Sequence, residues 1–197
     1  KYENNVMRQG VELFQNLGLR ALIVNGSHRC ANEDQVSCSG STSVCGEQGS
    51  YRTSDMAHVD NTIFHWAHEI FASRFPADWV LSLHGKFGSG LNVSNGTKYD
   101  IDETSPIAKL VLALNGVLYQ ENEDVRSCNS FPGVPHLTNN RCGTTNIQGR
   151  MLNFSPEPCT QDAPAASNRF IHMEQSPAIR SNYRTHIETA LSVVLPN

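Results

Sequence analysis

The chain has 197 residues, 39% of them hydrophobic and 17% charged, which supplies one sizeable core and excludes wholesale disorder. The formal net charge is −4 and the pI is about 6.0. The four lysines and the scattered arginines form no basic run, so the composition points away from nucleic acid and anionic membranes as partners.

No apolar run approaches the roughly 20 residues of a membrane span. The opening residues Lys1–Asn5 do not read as a signal peptide, so an exported form is expected to have lost its leader. Six cysteines, Cys30, Cys38, Cys45, Cys128, Cys142 and Cys159, lie in Gly/Ser/Asn-rich stretches with no C-x-x-C pair. An even count in that setting predicts disulfides and a secreted or periplasmic location. Short spacing favours Cys38–Cys45 and Cys128–Cys142, which leaves Cys30–Cys159, although six cysteines allow about 15 connectivities. Sequons begin at Asn25, Asn92, Asn95 and Asn153.

Residues 5–18 repeat Val6, Val11, Leu13, Phe14 and Leu17 at helical spacing, with Gly18 to end the helix. Arg20–Asn25 is a short apolar run that predicts a first buried strand. Residues 27–53 follow as a long cysteine-bearing loop, a length usually kept for function. Thr53-Ser54-Asp55 offers capping chemistry for a helix over 56–75, closed by Pro76. Trp79–His84 predicts a second strand, and 85–104 reads as loop. Ser105-Pro106 opens a helix to about Tyr119. Residues 122–161 read as mostly irregular with short extended pieces. Phe170–Glu174 predicts a third strand, and a helix over 183–194 closes the order. Strands alternating with helices in one domain over 1–197 predict an α/β fold: a mixed, largely parallel sheet with helices on both faces, stabilised by disulfides.

In such sheets ligands bind beyond the carboxyl ends of the strands, so the residues after each strand carry the chemical expectation. They are His28, Arg29 and Glu33 after the first, His84 after the second, and His172 with Glu174 on the third. His and Glu suit a catalytic zinc site, with three protein ligands and a position left for water. His28, Glu33 and His84 are the expected ligands, and Glu174 the expected base. The spacing is not the helical H-E-x-x-H, so His28 and Glu33 are ligands from a loop.

This order of residues resembles the zinc carboxypeptidase-like superfamily, in which a His and a Glu follow one strand, a second His ends a later strand, and a catalytic Glu lies on a strand near the C-terminus. The usual first element there is His-x-x-Glu. The spacing His28-x4-Glu33 is closer to the phage-type poly-γ-glutamate hydrolases. The resemblance implies a zinc-dependent hydrolase of amide bonds, of peptide or γ-glutamyl type. It also implies substrate-binding Arg and Asn residues between the second His and the catalytic Glu, for which Asn146 and Arg150 stand in the right interval. Arg29 and Arg180 read first as salt-bridge partners and otherwise as further candidates to hold a substrate carboxylate. Asp55 reads as a helix cap or, with His58, as an orienting group for a ligand. His65 and Glu69 share a helix face as a solvated pair or second metal site, and His136 and His186 read as surface residues.

No G-x-S-x-G elbow, phosphate loop or EF-hand is present. Two further functions stay open: a zinc-dependent deacylase or esterase on a non-peptide substrate, and a non-catalytic disulfide-rich binding domain. The oligomeric state is not read from the sequence.

Overall fold

A computed structural model describes residues 3–195; Lys1 and Tyr2, with which the sequence opens, lie outside them. It is a mixed α/β fold. In chain order the elements are α1 (Val6–Asn16), a 3-10 turn (Met56–His58), α2 (Ile63–Arg74), β1 (Val80–Gly85), β2 (Leu91–Ser94), α3 (Pro106–Leu118), a second 3-10 turn (Tyr119–Glu121), β3 (Val125–Ser127), α4 (Ile147–Leu152), β4 (Phe170–Gln175), α5 (Pro177–Asn182) and α6 (Arg184–Val194).

The sheet order is β1-β4-β2-β3. β1 runs parallel to β4 and β2 parallel to β3, and the two pairs meet in the antiparallel β2/β4 ladder. Strand alternation sends Leu81, Leu83, Leu91, Val93, Val125, Ile171 and Met173 to one face. There they pack with Leu110, Leu114 and Leu118 of α3, Leu13 of α1 and Ile187 and Leu191 of α6. The opposite face starts apolar, where Val80 and Phe170 meet Ala72 of α2 and Met151 and Leu152 of α4. Towards the carboxyl ends of β1 and β4 it turns polar.

Several expectations change. The helix expected over 56–75 is broken: the 3-10 turn Met56–His58 ends at Val59, and α2 starts only at Ile63, capped by Thr62, whose hydroxyl accepts from His65 N. Residues 20–25 are not hydrogen-bonded into the sheet as a strand, although Arg20 anchors their start to Asp78 at 2.7 Å. β2 lies inside the expected 85–104 loop. It is short, and its Asn and Ser residues hide the apolar signal that a strand search uses. α4 lies in the expected irregular region and is capped by Asn146, which accepts from Gly149 N at 2.8 Å.

The disulfides are Cys30–Cys45, Cys38–Cys159 and Cys128–Cys142. Only the last was the expected pairing. Spacing misled because the 27–53 loop folds back on itself through bridges Gln35–Arg52 and Thr42–Gly49. That hairpin brings Cys30 to Cys45 and points Cys38 outward to the 153–169 loop, where Ser39 N also bonds Cys159 O at 2.7 Å.

Candidate functional site

His84 and Glu174 are register partners on the parallel β1/β4 pair, and Ser82 and His172 are the pair two residues earlier. All four therefore share the polar face. Asn92 and Ser94 of β2, opposite Glu174 and His172, extend it. The rings of His84 and His172 lie 4.9 Å apart. Gly143 sits over His172 with φ +67, and a Cβ there would fall 2.7 Å from His172 Cγ, so only glycine fits this cover.

Three other segments close over the strand ends. The turn after α1's long approach brings Arg29, whose carbonyl accepts from Ser54 Oγ at 2.7 Å; the Cys30–Cys45 bridge fixes the next residue. The 3-10 turn brings Asp55 and His58. His58 stacks on Tyr51, centroids 3.7 Å apart. Its Nδ1 is 3.1 Å from Asp55 Oδ1, yet the ring nitrogen makes no well-aligned hydrogen bond. The residues before α1 bring Glu3, which contacts Arg29 Nη2 at 2.6 Å and accepts from Gly85 N at 2.8 Å. Arg29 Nη1 also lies 3.8 Å from Asp55 Oδ2. His84 Nε2 is 2.9 Å from Ser82 Oγ, and its Nδ1 is 3.9 Å from Glu3 Oε1.

The electrostatics follow from burial set against these neighbours. Burial pushes the Glu174 carboxyl above the ordinary range, with Glu3 adding to it and His84, Arg29 and Arg141 opposing. Burial alone would lower His84, but Glu3 and Glu174 outweigh it and raise it. Burial would raise Glu3 and Asp55; His84 and Arg29 bring Glu3 down, and His58 and Arg29 bring Asp55 down. Burial, then the positive field of His84 and His58, drives His172 well below the usual imidazole range. Among the described residues, Nδ1 of His172 and Oδ1 of Asn92 are buried without a hydrogen-bond partner. Unpaired buried polar atoms are rare and costly in folded proteins, and here two lie on one polar sheet face.

Of the expected site residues, His84, Glu174 and Arg29 come together. His28 and Glu33 do not join them: both are exposed, and His28 Nδ1 accepts from Cys30 N at 3.2 Å. Arg150 is buried and spends its guanidinium on Thr144 O, Ser39 Oγ, Pro158 O, Cys159 O and Asp162. Its work is to tie three loops together, and Asn146 is the cap of α4; neither is brought to the cluster. Arg180 likewise binds the carbonyls of Gln175, Ser176 and Asn4. Asp55 and His58, expected only as supporting groups, stand inside the cluster.

Three members escaped the sequence analysis, and a fourth, His172, was named on the third strand without a role. Glu3 is far away in sequence, and Ser82 and Arg141 carried no assigned role. The available signal was alternation: Ser82-x-His84 and His172-x-Glu174 place polar residues two apart in otherwise apolar strands.

Two other features are not sites of the same kind. Cys38, Asp60 and Cys159 are the one close group of metal-type donors among the described residues, but the two sulfurs are bonded to each other. A depression of about 470 Å³ lined by Lys98, Ser130, Leu137 and Asn140 lies beside the Cys128–Cys142 bridge and contains no facing acid–base pair.

No family model, no curated protein and no solved structure matches this chain.

Proposed function

We propose that this chain is a hydrolase that cleaves an amide bond, or the related ester, in a carboxylate-bearing substrate. The observation that carries the reading is the pairing of His84 with Glu174 at the carboxyl ends of adjacent parallel strands, beside the Arg29 guanidinium. Ionised Glu174 takes a proton from water as the water oxygen attacks the carbonyl carbon. It then passes that proton to the leaving nitrogen or oxygen as the scissile bond breaks. A base poised above the usual carboxylate range is suited to both steps near neutrality. His84, whose imidazole Glu3 and Glu174 push towards its charged form, and Arg29 supply a positive field beside the carbonyl oxygen on which negative charge develops. Arg141 is the better candidate for a substrate grip than Arg150: it is exposed, held at φ +58 beside the Cys128–Cys142 bridge, and its charge is felt by Glu174. Disulfides and the oxidising compartment they imply fit a secreted or periplasmic enzyme, and among the described residues no helix is long and apolar enough to cross a membrane.

Zinc is the metal that the His/Glu chemistry of this reading would take. His84 is the one expected ligand in the cluster, and as placed His28 and Glu33 do not fit an ion held there. Metal analysis of unchelated protein tests the zinc-dependent form directly: one zinc per chain supports it, and none removes it.

A second reading rests on the Ser82 Oγ–His84 Nε2 contact of 2.9 Å with Glu3 behind the imidazole, a nucleophile–base–acid order. The separating experiment assays ester, N-acyl and γ-glutamyl substrates side by side with Glu174→Gln and Ser82→Ala, and treats the protein with a fluorophosphonate probe. Loss of turnover in Glu174→Gln with no labelling supports the first reading. Full turnover in Glu174→Gln sinks it, and labelling of Ser82 installs the second.

A further inference from the structure

Glu3 enters the cluster from outside the sheet that builds it. The two residues that follow it, Asn4 and Asn5, are exposed, and Asn5 adopts φ 69. They are pinned away from the cluster, Asn4 O by Arg180 and Asn5 Nδ2 by Ser181 Oγ at 3.1 Å. Among the described residues before α1, the Glu3 side chain is the one that reaches in. One carboxylate oxygen lies 2.6 Å from the Arg29 guanidinium and the other accepts the Gly85 N–H at 2.8 Å, with His84 Nδ1 3.9 Å away. A guanidinium, a strand-end backbone N–H and an imidazole converging on two oxygens make the donor set of a carboxylate receptor. The side chain is still 37% exposed, so the seat opens to solvent. It adjoins Glu174, whose charge interacts with Glu3 and Arg29.

We infer that Arg29, Gly85 N and His84 form a subsite for a substrate or product carboxylate, and that Glu3 is an internal occupant which an external carboxylate must displace. The catalytic part of this inference rests on the reading of His84 and Glu174 as reacting groups; the binding part does not. An attached carboxylate competes at an effective concentration in the millimolar range, so a free dicarboxylate binds the intact protein weakly. A carboxylate-bearing substrate meets the same competition, whereas a neutral one of equal size does not.

The competing account is a plain structural brace, in which Glu3 only ties the segment before α1 to the sheet. Arg29 and Gly85 N would then be satisfied partners with no affinity for anything else. The brace predicts loss of stability on removing Glu3 and no gain of function.

The test is a calorimetric titration of glutarate into wild type, Glu3→Ala and Glu3→Ala/Arg29→Met, with the melting temperature of each recorded. The expected result is a glutarate Kd at least about tenfold lower in Glu3→Ala than in wild type, with that gain lost in the double variant. A Glu3→Ala protein that folds but binds glutarate no better than wild type overturns the inference. So does one that no longer folds, since Glu3 is then a brace, and so does a gain that survives Arg29→Met. The titration needs no turnover, so it stands even where Glu174→Gln refutes the hydrolase. Where turnover is found, KM for a carboxylate-bearing substrate falls about tenfold in Glu3→Ala, and KM for its neutral amide analogue stays put.

Discussion

On one face of the central sheet stand Leu81, Leu83, Leu91, Val93, Ile171 and Met173; on the other, from the same strands and often the next residue, stand Ser82, His84, Asn92, Ser94, His172 and Glu174. Both faces are covered. A sheet buried on both sides is ordinarily apolar on both, because a desolvated imidazole or carboxyl costs free energy that a leucine does not. The apolar face is saturated by three helices. The polar face keeps an unpaired Nδ1 on His172 and an unpaired Oδ1 on Asn92. The period of two that separates core from solvent in a half-exposed sheet here separates a packed apolar face from the polar face that carries the proposed chemistry.

That division predicts opposite signatures for neighbouring residues. Glu174→Gln carries the largest effect: turnover falls by about 10²–10⁴. Stability does not fall with it. The Glu174 carboxyl is raised in the folded state, so the folded protein binds the proton more tightly than the unfolded chain. Ionising it as pH rises past the unfolded value costs stability, and glutamine removes that cost. A melting temperature at pH 8 that is equal to or above wild type, measured with the loss of turnover, is the expected pair. A fall in both would merge the two faces into one structural role.

Met173→Ala, one residue away and fully buried, shows the reverse. It loses about 2–5 kcal/mol by denaturant titration, and the protein that remains folded keeps its turnover per molecule. Loss of turnover without loss of stability would refute the separation from the apolar side.

The buried histidines give the comparison a pH axis. Burial, reinforced by His65 and Arg169, lowers His68 from 6.5 to about 4, and its Nε2 is buried without a partner. The unfolded chain takes up a proton near 6.5 that the folded one refuses until about 4. Stability is therefore full above the first value and declines as pH falls towards the second. Acting alone, His68 removes about 3 kcal/mol across that window, and His172, shifted the same way on the polar face, adds to it. Melting curves of wild type and His68→Leu between pH 7 and pH 4 should diverge at the acid end, with the variant flatter. Parallel curves would show that His68 protonates without unfolding.

Much of this was legible in the residues. The helices Val6–Asn16, Pro106–Leu118 and Arg184–Val194 follow apolar periodicity and capping chemistry, and the strands Val80–Gly85 and Phe170–Gln175 are apolar runs long enough to stand out. The placement of His84 and Glu174 followed from those strands. What escaped depends on contacts between distant segments, which periodicity does not encode. Cys38 finds Cys159 across 121 residues. Glu3 meets Gly85 only because α1 packs beside β1. Arg150 has the interval and chemistry of a substrate clamp, but the 153–169 loop supplies carbonyls that consume it.

The two arginines of that region therefore make the smallest and most discriminating contrast. Arg150 donates to four neutral oxygens and to Asp162, while its side chain is almost wholly buried. Replacing it with methionine keeps much of the volume but leaves buried carbonyls unpaired, so Arg150→Met should lose about 1–3 kcal/mol of stability with kcat and KM of the folded protein unchanged. Arg141 is exposed, and its charge acts on Glu174 and Lys86. Arg141→Ala should leave stability within about 0.5 kcal/mol and raise KM about tenfold for a carboxylate-bearing substrate, the loss of one charge-assisted contact. Steady-state kinetics with paired acidic and neutral substrates reads the difference. If Arg150→Met raises KM for the acidic substrate alone while Arg141→Ala does nothing, the clamp expected from the sequence is restored and the 153–169 loop must open to free it.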